Sequence, residues 1–171
     1  MIDYRQDYYK GLAGVYFNRI LKKIIEIGRL KEEKRIILDF GCGVGKLKKL
    51  LKKKNVIGYD ILPELTEVGD YRKLKPNVIV CNNVLEHLSK NEVYLVLKDF
   101  KKMNKDAILI TATPTENLLS KLGMIITGLT NAHDDHKIKL GDVNKILSKE
   151  CKLLNRKNVF TLSEISSWAF K

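Results

Sequence analysis

Three glycines at alternate positions, with a carboxylate two residues before the first, form the most informative group in the chain. Asp39, Gly41, Gly43 and Gly45 follow the apolar run 36–38, and an apolar pattern with helical spacing begins directly after them. The arrangement predicts a buried strand, a tight turn and a helix. A turn without side chains lets the main chain approach a ligand closely and aims its N–H groups at that ligand. The chemistry it indicates is the binding of a nucleotide-like molecule.

The spacing of the glycines argues against two common nucleotide sites. The dinucleotide fingerprint needs glycines at positions one, three and six, and Lys46 occupies the sixth position here. A phosphate-binding P-loop needs a longer interval before its Gly-Lys pair, and Leu47 offers no hydroxyl for magnesium. The remaining pattern, acidic-x-Gly-x-Gly-x-Gly, resembles motif I of the class I methyltransferases that depend on S-adenosylmethionine (SAM). An unrelated α/β domain with a glycine turn is the alternative.

Two later carboxylates lie where the same family has its next motifs. Asp60 ends the short apolar run 55–59, and an ionised carboxylate can accept hydrogen bonds from both hydroxyls of a ribose. By resemblance, Asp60 and the adjacent Ile61 contact the ribose of SAM. Asp70 resembles the family's acceptor for the adenine amino group, with Tyr71 beside the ring.

The fourth motif is the apolar run 78–81 with Asn82 and Asn83, followed by Val-Leu-Glu-His-Leu at 84–88. It resembles the fourth strand and the segment after it in the small-molecule branch of the family, which includes enzymes acting on glycans. The resemblance implies that SAM is the cofactor, that S-adenosylhomocysteine (SAH) is the product, and that the methionine end of SAM lies at the glycine turn. The implied cofactor residues are Asp39, Gly41, Cys42, Gly43, Gly45, Asp60, Ile61, Asp70, Tyr71, Asn82 and Asn83.

Candidate catalytic residues come from the polar segment 131–137 and from the fourth motif. Methyl transfer is an in-line displacement, so the enzyme must hold the acceptor on the axis of the breaking bond. An alcohol acceptor also needs a general base near neutral pH, a role open to His136 or His87, with Asp134 as a further candidate. Packing and a solvated turn are the alternatives. His133 and His136 form a His-x-x-His pair, but two loop histidines without a third ligand lead us to predict no metal site.

The elements that must position these residues predict an α/β fold. We expect one doubly wound, mostly parallel twisted sheet with helices on both faces and a C-terminal antiparallel hairpin. The interval 61–77 is too short for the family's usual helix, strand and helix, so the third strand should be short or missing. Other predicted elements are helices at Val15–Ile27, Asn91–Met103 and Asp142–Leu153, a strand at Ala107–Thr111, and hairpin strands at Leu154–Thr161 and Ser166–Phe170, with Trp168 at the sheet edge.

A single domain is predicted for the 171 residues. Its expected parts are an N-terminal helical cap at 1–30, in which Tyr8 and Tyr9 could close the pocket, a SAM-binding core at 34–113, a substrate-side insertion at 114–140, and a C-terminal helix and hairpin at 141–171. The sequence contains no apolar run long enough for a transmembrane span, nothing like a signal peptide, and three cysteines without paired spacing. These features predict a cytoplasmic protein, and they leave the oligomeric state open.

The formal net charge of +12 invites a nucleic-acid interpretation. The lysines are spread over several predicted helices, however, and they outnumber arginine, the better reader of phosphate and bases. A solvated lysine-rich surface is therefore favoured over a nucleic-acid partner. The predicted function is methyl transfer from SAM to an oxygen or nitrogen of a small-molecule or glycan-like acceptor. The alternatives are an RNA or protein methyltransferase and a catalytically silent SAM-binding partner subunit.

Overall fold

Six strands form one sheet in the computed structural model, which describes residues 11–115 and 136–171. In chain order the strands are β1 (Ile37–Phe40), β2 (Val56–Tyr59), β3 (Val78–Asn82), β4 (Ile108–Pro114), β5 (Cys151–Val159) and β6 (Ser163–Phe170). Their order in the sheet is β2-β1-β3-β4-β6-β5. The first four strands pair in parallel, and β6 pairs antiparallel with both β4 and β5.

Helices connect the parallel strands and cover the sheet. Within the described ranges they are α1 (Gly11–Ile27), α2 (Lys46–Leu51), α3 (Lys90–Met103) and α4 (Leu140–Glu150), with short 3₁₀-helices at Tyr71–Lys73 and Leu85–His87. Ser89 begins α3 with a capping box, since its hydroxyl accepts from the Glu92 N–H while the Glu92 carboxylate accepts from the Ser89 N–H. No helix in this part of the chain combines the length and the apolar character that crossing a membrane requires.

The core lies on both faces of the sheet because neighbouring strand residues point to opposite sides. On β1, Ile37 joins the cluster that α1 covers, whereas Leu38 joins the cluster beneath α3 and α4. Val80 and Ile79 of β3 divide in the same way. This two-sided burial confirms the predicted doubly wound α/β fold with a C-terminal antiparallel hairpin.

The family's third strand is missing, as the short interval predicted. Between β2 and β3 the chain forms only the 3₁₀-helix Tyr71–Lys73, and β2 remains at the edge of the sheet beside β1. Parallel pairing therefore brings the carboxyl ends of β1, β2, β3 and β4 to one edge of the sheet. Ligands of open α/β sheets bind at this edge.

Two local predictions are wrong in detail. α4 ends at Glu150 and β5 begins at Cys151, so the segment 151–153 is strand and not helix. Trp168 does not lie at the sheet edge: β6 is flanked by β4 and β5, and the indole is buried with its N–H donating to the Thr111 hydroxyl at 3.2 Å. Of the lysines that follow the glycine turn, Lys53 lies beyond the end of α2, and its ammonium donates to the Leu30 and Glu33 carbonyls at 3.0 and 2.7 Å.

Candidate functional site

The glycine turn begins where β1 ends, and main-chain hydrogen bonds attach it to β2. The Gly41 and Cys42 N–H groups both donate to the Tyr59 carbonyl, at 2.7 and 3.0 Å. Gly41 has a φ of +74°, and a Cβ atom there would overlap the side chain of Val84, which follows β3. Gly43 also has a positive φ, of +49°, but a Cβ atom there would meet no protein atom within 4 Å. The turn is thus packed on one side and open on the other, as a ligand-binding turn must be.

Asp60 follows β2 and faces the turn. Its Oδ2 accepts from the Gly43 N–H at 2.9 Å, and its Oδ1 accepts from the Leu62 N–H at 3.1 Å. These bonds fix the carboxylate beside the open part of the turn. Two carboxylate oxygens offer about four acceptor sites, so Asp60 can still accept from two ribose hydroxyls. Ile61, the adjacent predicted contact, is largely exposed.

Asp39 lies behind the turn and carries a raised pKa. It is buried, and burial together with the nearby charges of Asp60 and Glu67 raises its pKa from 3.8 to about 7. Glu67 is held beside this group by the Gly58 N–H at 3.1 Å and by the Lys48 ammonium at 2.7 Å. Three carboxyl groups therefore surround the base of the turn. Such a cluster favours a positively charged ligand, and SAM carries positive charge on its sulfonium and its amino group.

Cys42 lies inside the turn but lacks the character of a nucleophile. Burial, and after it the charges of Asp39, Asp60 and Glu67, raises the pKa of the Cys42 thiol to about 12. The sulfur contacts the Leu65 carbonyl at 3.5 Å. The Cys42 thiol is therefore uncharged at neutral pH, and its contact with the cofactor stays a prediction.

Asn82 and Asn83 supply buried acceptors at the carboxyl end of β3. Within residues 11–115 and 136–171, no group donates a hydrogen bond to the buried Oδ1 atom of either side chain. Asn83 adopts a φ of +53°, and its N–H donates to the Ala112 carbonyl at 2.9 Å, so its position is fixed by β4. Buried amide oxygens require donors. The amino groups of SAM are donors of the required kind, so the residues of this edge fit the cofactor.

Asp70 and Tyr71 have structural contacts in addition to their predicted adenine contacts. Asp70 accepts from the Arg72 N–H and guanidinium, at 3.1 and 2.8 Å, and hydrogen bonding to Arg72 lowers its pKa. The Tyr71 hydroxyl donates to Asp99 at 3.0 Å, and its ring lies 5.0 Å from that of Phe40. Both residues thus hold the short connection between β2 and β3. Their contact with adenine stays a prediction.

The structure brings both predicted histidines together, one of them in the short helix that follows Val84. His87 ends the 3₁₀-helix Leu85–His87, and its ring centroid lies 4.9 Å from that of His136 at an interplanar angle of 79°. Glu86 is 1% exposed, and its carboxylate joins the same group. The third catalytic candidate, Asp134, lies outside the described residues, as do Tyr8, Tyr9 and most of the predicted insertion 114–140.

Tyr16 and Ser163 form a contact near Glu86 that the sequence did not reveal. The Tyr16 hydroxyl on α1 lies 2.5 Å from the Ser163 hydroxyl at the start of β6. Burial is the largest cause of the raised pKa of Tyr16, and the nearby charge of Glu86 also raises it. Helical spacing gave Tyr16 only a packing role. Its contact with Ser163 depends on the antiparallel pairing that sets Ser163 opposite Pro114, which no local pattern predicts.

The fold, the open glycine turn and the acceptors around it define a class I SAM-dependent methyltransferase. A family model described as a methyltransferase domain matches residues 12–162, and the chain belongs to this family. A search among curated protein sequences found no match.

Three solved structures with the same fold are methyltransferases of low sequence identity. The magnesium protoporphyrin IX methyltransferase of Synechocystis PCC 6803, solved with bound SAH, has a TM-score of 0.68 at 19% identity and covers 98% of this chain and 92% of its own. The N-methyltransferase NodS of Bradyrhizobium japonicum WM9, in complex with SAH, has a TM-score of 0.66 at 12% identity, covering 91% and 87%. A TehB-like SAM-dependent methyltransferase from Corynebacterium glutamicum has a TM-score of 0.60 at 17% identity, covering 86% of each chain.

Proposed function

We propose that this methyltransferase moves the methyl group of SAM to an oxygen or nitrogen of a small-molecule or glycan-like acceptor. The observation that carries the proposal is the position of Val84. Its side chain contacts Gly41 of the glycine turn, and Glu86 and His87 follow it in the next turn of chain. A cofactor group held at the turn and an acceptor held at the histidines would therefore be neighbours.

The residues that would hold SAM can be grouped by the part of SAM that each would contact. The open glycine turn would take the methionine end, with the carboxyl groups of Asp39 and Asp60 offsetting its positive charge. Asp60 would accept from the ribose hydroxyls, and the Oδ1 atoms of Asn82 and Asn83 would accept from amino groups. When bound, SAM supplies an electrophilic methyl group on a sulfonium.

The cofactor assignment is tested with Asp60→Ala. Removing an acceptor of two charge-assisted hydrogen bonds should weaken SAM binding by about 1.5–3 kcal/mol, which is roughly tenfold to more than a hundredfold. Titration calorimetry of the folded variant measures this loss. Asp106→Asn is the control, because Asp106 is exposed in the turn before β4 and should not affect SAM affinity. Unchanged SAM affinity in Asp60→Ala would remove the assignment.

The transfer step follows from the reacting atoms. A lone pair of the acceptor oxygen or nitrogen forms the bond to the methyl carbon, the carbon–sulfur bond breaks, and its electron pair returns to sulfur, giving SAH. The acceptor proton must leave. We assign its removal to the histidine pair His87 and His136, with His136 as the base, because imidazole is the side chain that most often serves as a general base.

His136→Ala tests the acceptor side separately. If His136 contacts only the acceptor, SAM affinity stays near that of the parent while turnover falls by about a hundredfold. His136→Asn is the matched variant, because it keeps a hydrogen-bonding group but cannot act as a base. Turnover is measured with a panel of hydroxyl and amine compounds, sugars and RNA. Full turnover in both variants would remove the catalytic role, and transfer to RNA alone would overturn the proposed acceptor class.

A further inference from the structure

We infer that Glu86, His87 and His136 together bind one divalent transition-metal ion. The inference rests on the proposed function in one respect, since the ion would lie on the acceptor side of that same site. It replaces the expectation of no metal, which considered only His133 and His136. The pairing found in the structure is a different one.

The three side chains are a donor set that transition metals use. Two imidazole nitrogens and one carboxylate oxygen bind zinc in catalytic sites and iron in mononuclear oxygenases, and they leave coordination positions open. One potential ligand atom from each of Glu86, His87 and His136 lies within 4.8 Å of the other two. Ligands about 2.1 Å from a tetrahedral ion lie about 3.4 Å apart. Metal binding would therefore have to draw these atoms together by little more than an ångström.

The spacing of the imidazoles is that of two ligands of one ion. A ring centroid lies about 3.2 Å from a metal bound by that ring, so two rings at a right angle around the ion have centroids about 4.5 Å apart, and two at the tetrahedral angle about 5.2 Å. The observed separation between His87 and His136 is 4.9 Å. The near-perpendicular arrangement of the rings, at 79°, is a packing that adjacent imidazole ligands adopt readily.

Main-chain hydrogen bonds hold the two segments in this arrangement. The Lys137 and Ile138 N–H groups donate to the Glu86 carbonyl at 2.8 and 3.2 Å. The His87 N–H donates to the Val84 carbonyl at 3.1 Å, closing the 3₁₀-helix that carries two of the ligands. The side chain of Ile138 is buried in the core beneath α3 and α4. The ligands therefore come from fixed backbone positions, which lowers the cost of assembling a metal site.

Glu86 is buried, and a buried carboxylate is suited to the role of a metal ligand. At 1% exposure, its carboxylate is removed from bulk water, and buried carboxylates in proteins are paired or coordinate metals. Its charge reaches Tyr16 on α1, so it acts on the side of the site that α1 covers. A cation among Glu86, His87 and His136 would place positive charge beside the short helix that follows Val84.

A metal ion at this site would favour an acceptor that is methylated on oxygen over one that is methylated on nitrogen. The open positions of the ion would take an acceptor hydroxyl, and coordination lowers the pKa of that hydroxyl so that its proton leaves to water. The resulting oxygen lone pair then forms the bond to the methyl carbon as the carbon–sulfur bond breaks. With the ion bound, His136 is a metal ligand and not the general base. The ion then activates the acceptor hydroxyl in place of a free imidazole.

Cobalt titration of the whole chain tests the site without any acceptor. After treatment with EDTA, the parent protein should bind one equivalent of Co²⁺ and develop visible absorption bands, and Zn²⁺ should displace it. His87→Ala, His136→Ala and Glu86→Gln should each weaken Co²⁺ binding by at least about a hundredfold. Cys42→Ser is the control for adventitious thiol binding and should leave Co²⁺ affinity unchanged.

Thermal unfolding shows whether a variant that binds no metal is still folded. Free Zn²⁺ at about a hundred times its Kd should raise the Tm of the parent by about 5–10 °C, because the ion binds only the folded state. The three ligand variants should remain folded and lose this rise. A Zn²⁺-dependent rise retained in all three variants would overturn the assignment, as would Co²⁺ binding lost in Cys42→Ser or a response to Mg²⁺ alone.

The failure of this inference can be told apart from failure of the proposed function. If no Co²⁺ or Zn²⁺ binds and methyl transfer survives EDTA, the metal site is refuted while the methyl-transfer proposal stands. If the ion binds with the expected loss in the variants but no hydroxyl or amine compound is methylated, the metal site stands and the proposed function falls. Loss of transfer on EDTA treatment with recovery on adding Zn²⁺ or Co²⁺ supports both.

Discussion

Asp39→Asn should make the protein more stable at neutral and alkaline pH. Asp39 is buried beside Asp60 and Glu67, and its pKa is raised from 3.8 to about 7 in the folded protein. Between these two values the folded state binds more protons at this group than the unfolded state does. Stability contributed by the group therefore falls as the pH rises, and the loss is complete above about pH 7. Asparagine has nearly the same shape and does not ionise.

The structure gives the size of the effect. The interval between 3.8 and about 7, at about 1.36 kcal/mol for each pH unit, corresponds to roughly 4 kcal/mol at pH 8. Between about pH 5 and pH 8 the same linkage lowers the stability of the parent by roughly 2.5 kcal/mol. Asp39→Asn should lose this pH dependence. At pH 8 the free energy of unfolding gained by the variant will be less than 4 kcal/mol, to the extent that the amide makes weaker hydrogen bonds than the carboxyl group.

Urea unfolding at several pH values between 5 and 8 measures this difference. Circular dichroism follows the transition, and the midpoints are compared at equal m-values. Asp106→Asn is the matched control, because Asp106 is exposed and its replacement should leave the pH dependence of the parent intact. The reasoning is refuted if Asp39→Asn shows the same slope of stability against pH as the parent.

The same group should couple SAM binding to proton release. At about pH 6 Asp39 is mostly protonated, and the positive charge of SAM favours its ionised form, so binding should release close to one proton. Calorimetry in two buffers with different ionisation enthalpies counts that proton. Asp39→Asn should bind SAM more weakly and release none. Equal proton release by parent and variant would show that Asp39 does not face the cofactor.

Three smaller perturbations test the scaffold. Gly41→Ala should cost about 1–3 kcal/mol in urea unfolding and weaken SAM binding, because the positive φ and Val84 leave no room for a methyl group; an unchanged unfolding midpoint would contradict this. Ser89→Ala should lower stability by about 1 kcal/mol and the Tm by about 2–4 °C through loss of the α3 capping box, as followed by circular dichroism. Trp168→Phe should cost about 1–3 kcal/mol because it removes the hydrogen bond to Thr111 and leaves a gap, and near-native stability would show that neither matters.

Local patterns were enough to predict the parallel half of the sheet. β1, its glycine turn and Asp60 are each recognised by residue types within a few positions, and the parallel register then places them at one edge. The missing third strand followed from simple length, since a helix, a strand and another helix do not fit into 61–77. These features depend on what a short segment can form, and the sequence contains that information directly.

Features that depend on pairing between distant segments were harder to predict. The resemblance predicts a last hairpin with Trp168 at the sheet edge, but β6 inserts between β4 and β5 and buries the indole. The segment 151–153 continues the apolar and basic pattern of α4, so only its pairing with β6 identifies it as strand. In both places the hydrogen-bonding partner decides the structure, and the partner lies in another part of the chain.

The acceptor side shows why spacing along the chain is a poor guide to ligand sets. A search for paired histidines finds His133 and His136, because they lie one helical turn apart in sequence. The structure instead sets His136 beside His87, since the Lys137 N–H donates to the Glu86 carbonyl and draws the second segment onto the first. Glu86 looked like one polar residue in an apolar segment, and its burial is what gives it a role. Ligand sets of this kind are assembled by strand order and main-chain hydrogen bonds, so the residues to compare are those at the carboxyl ends of neighbouring strands.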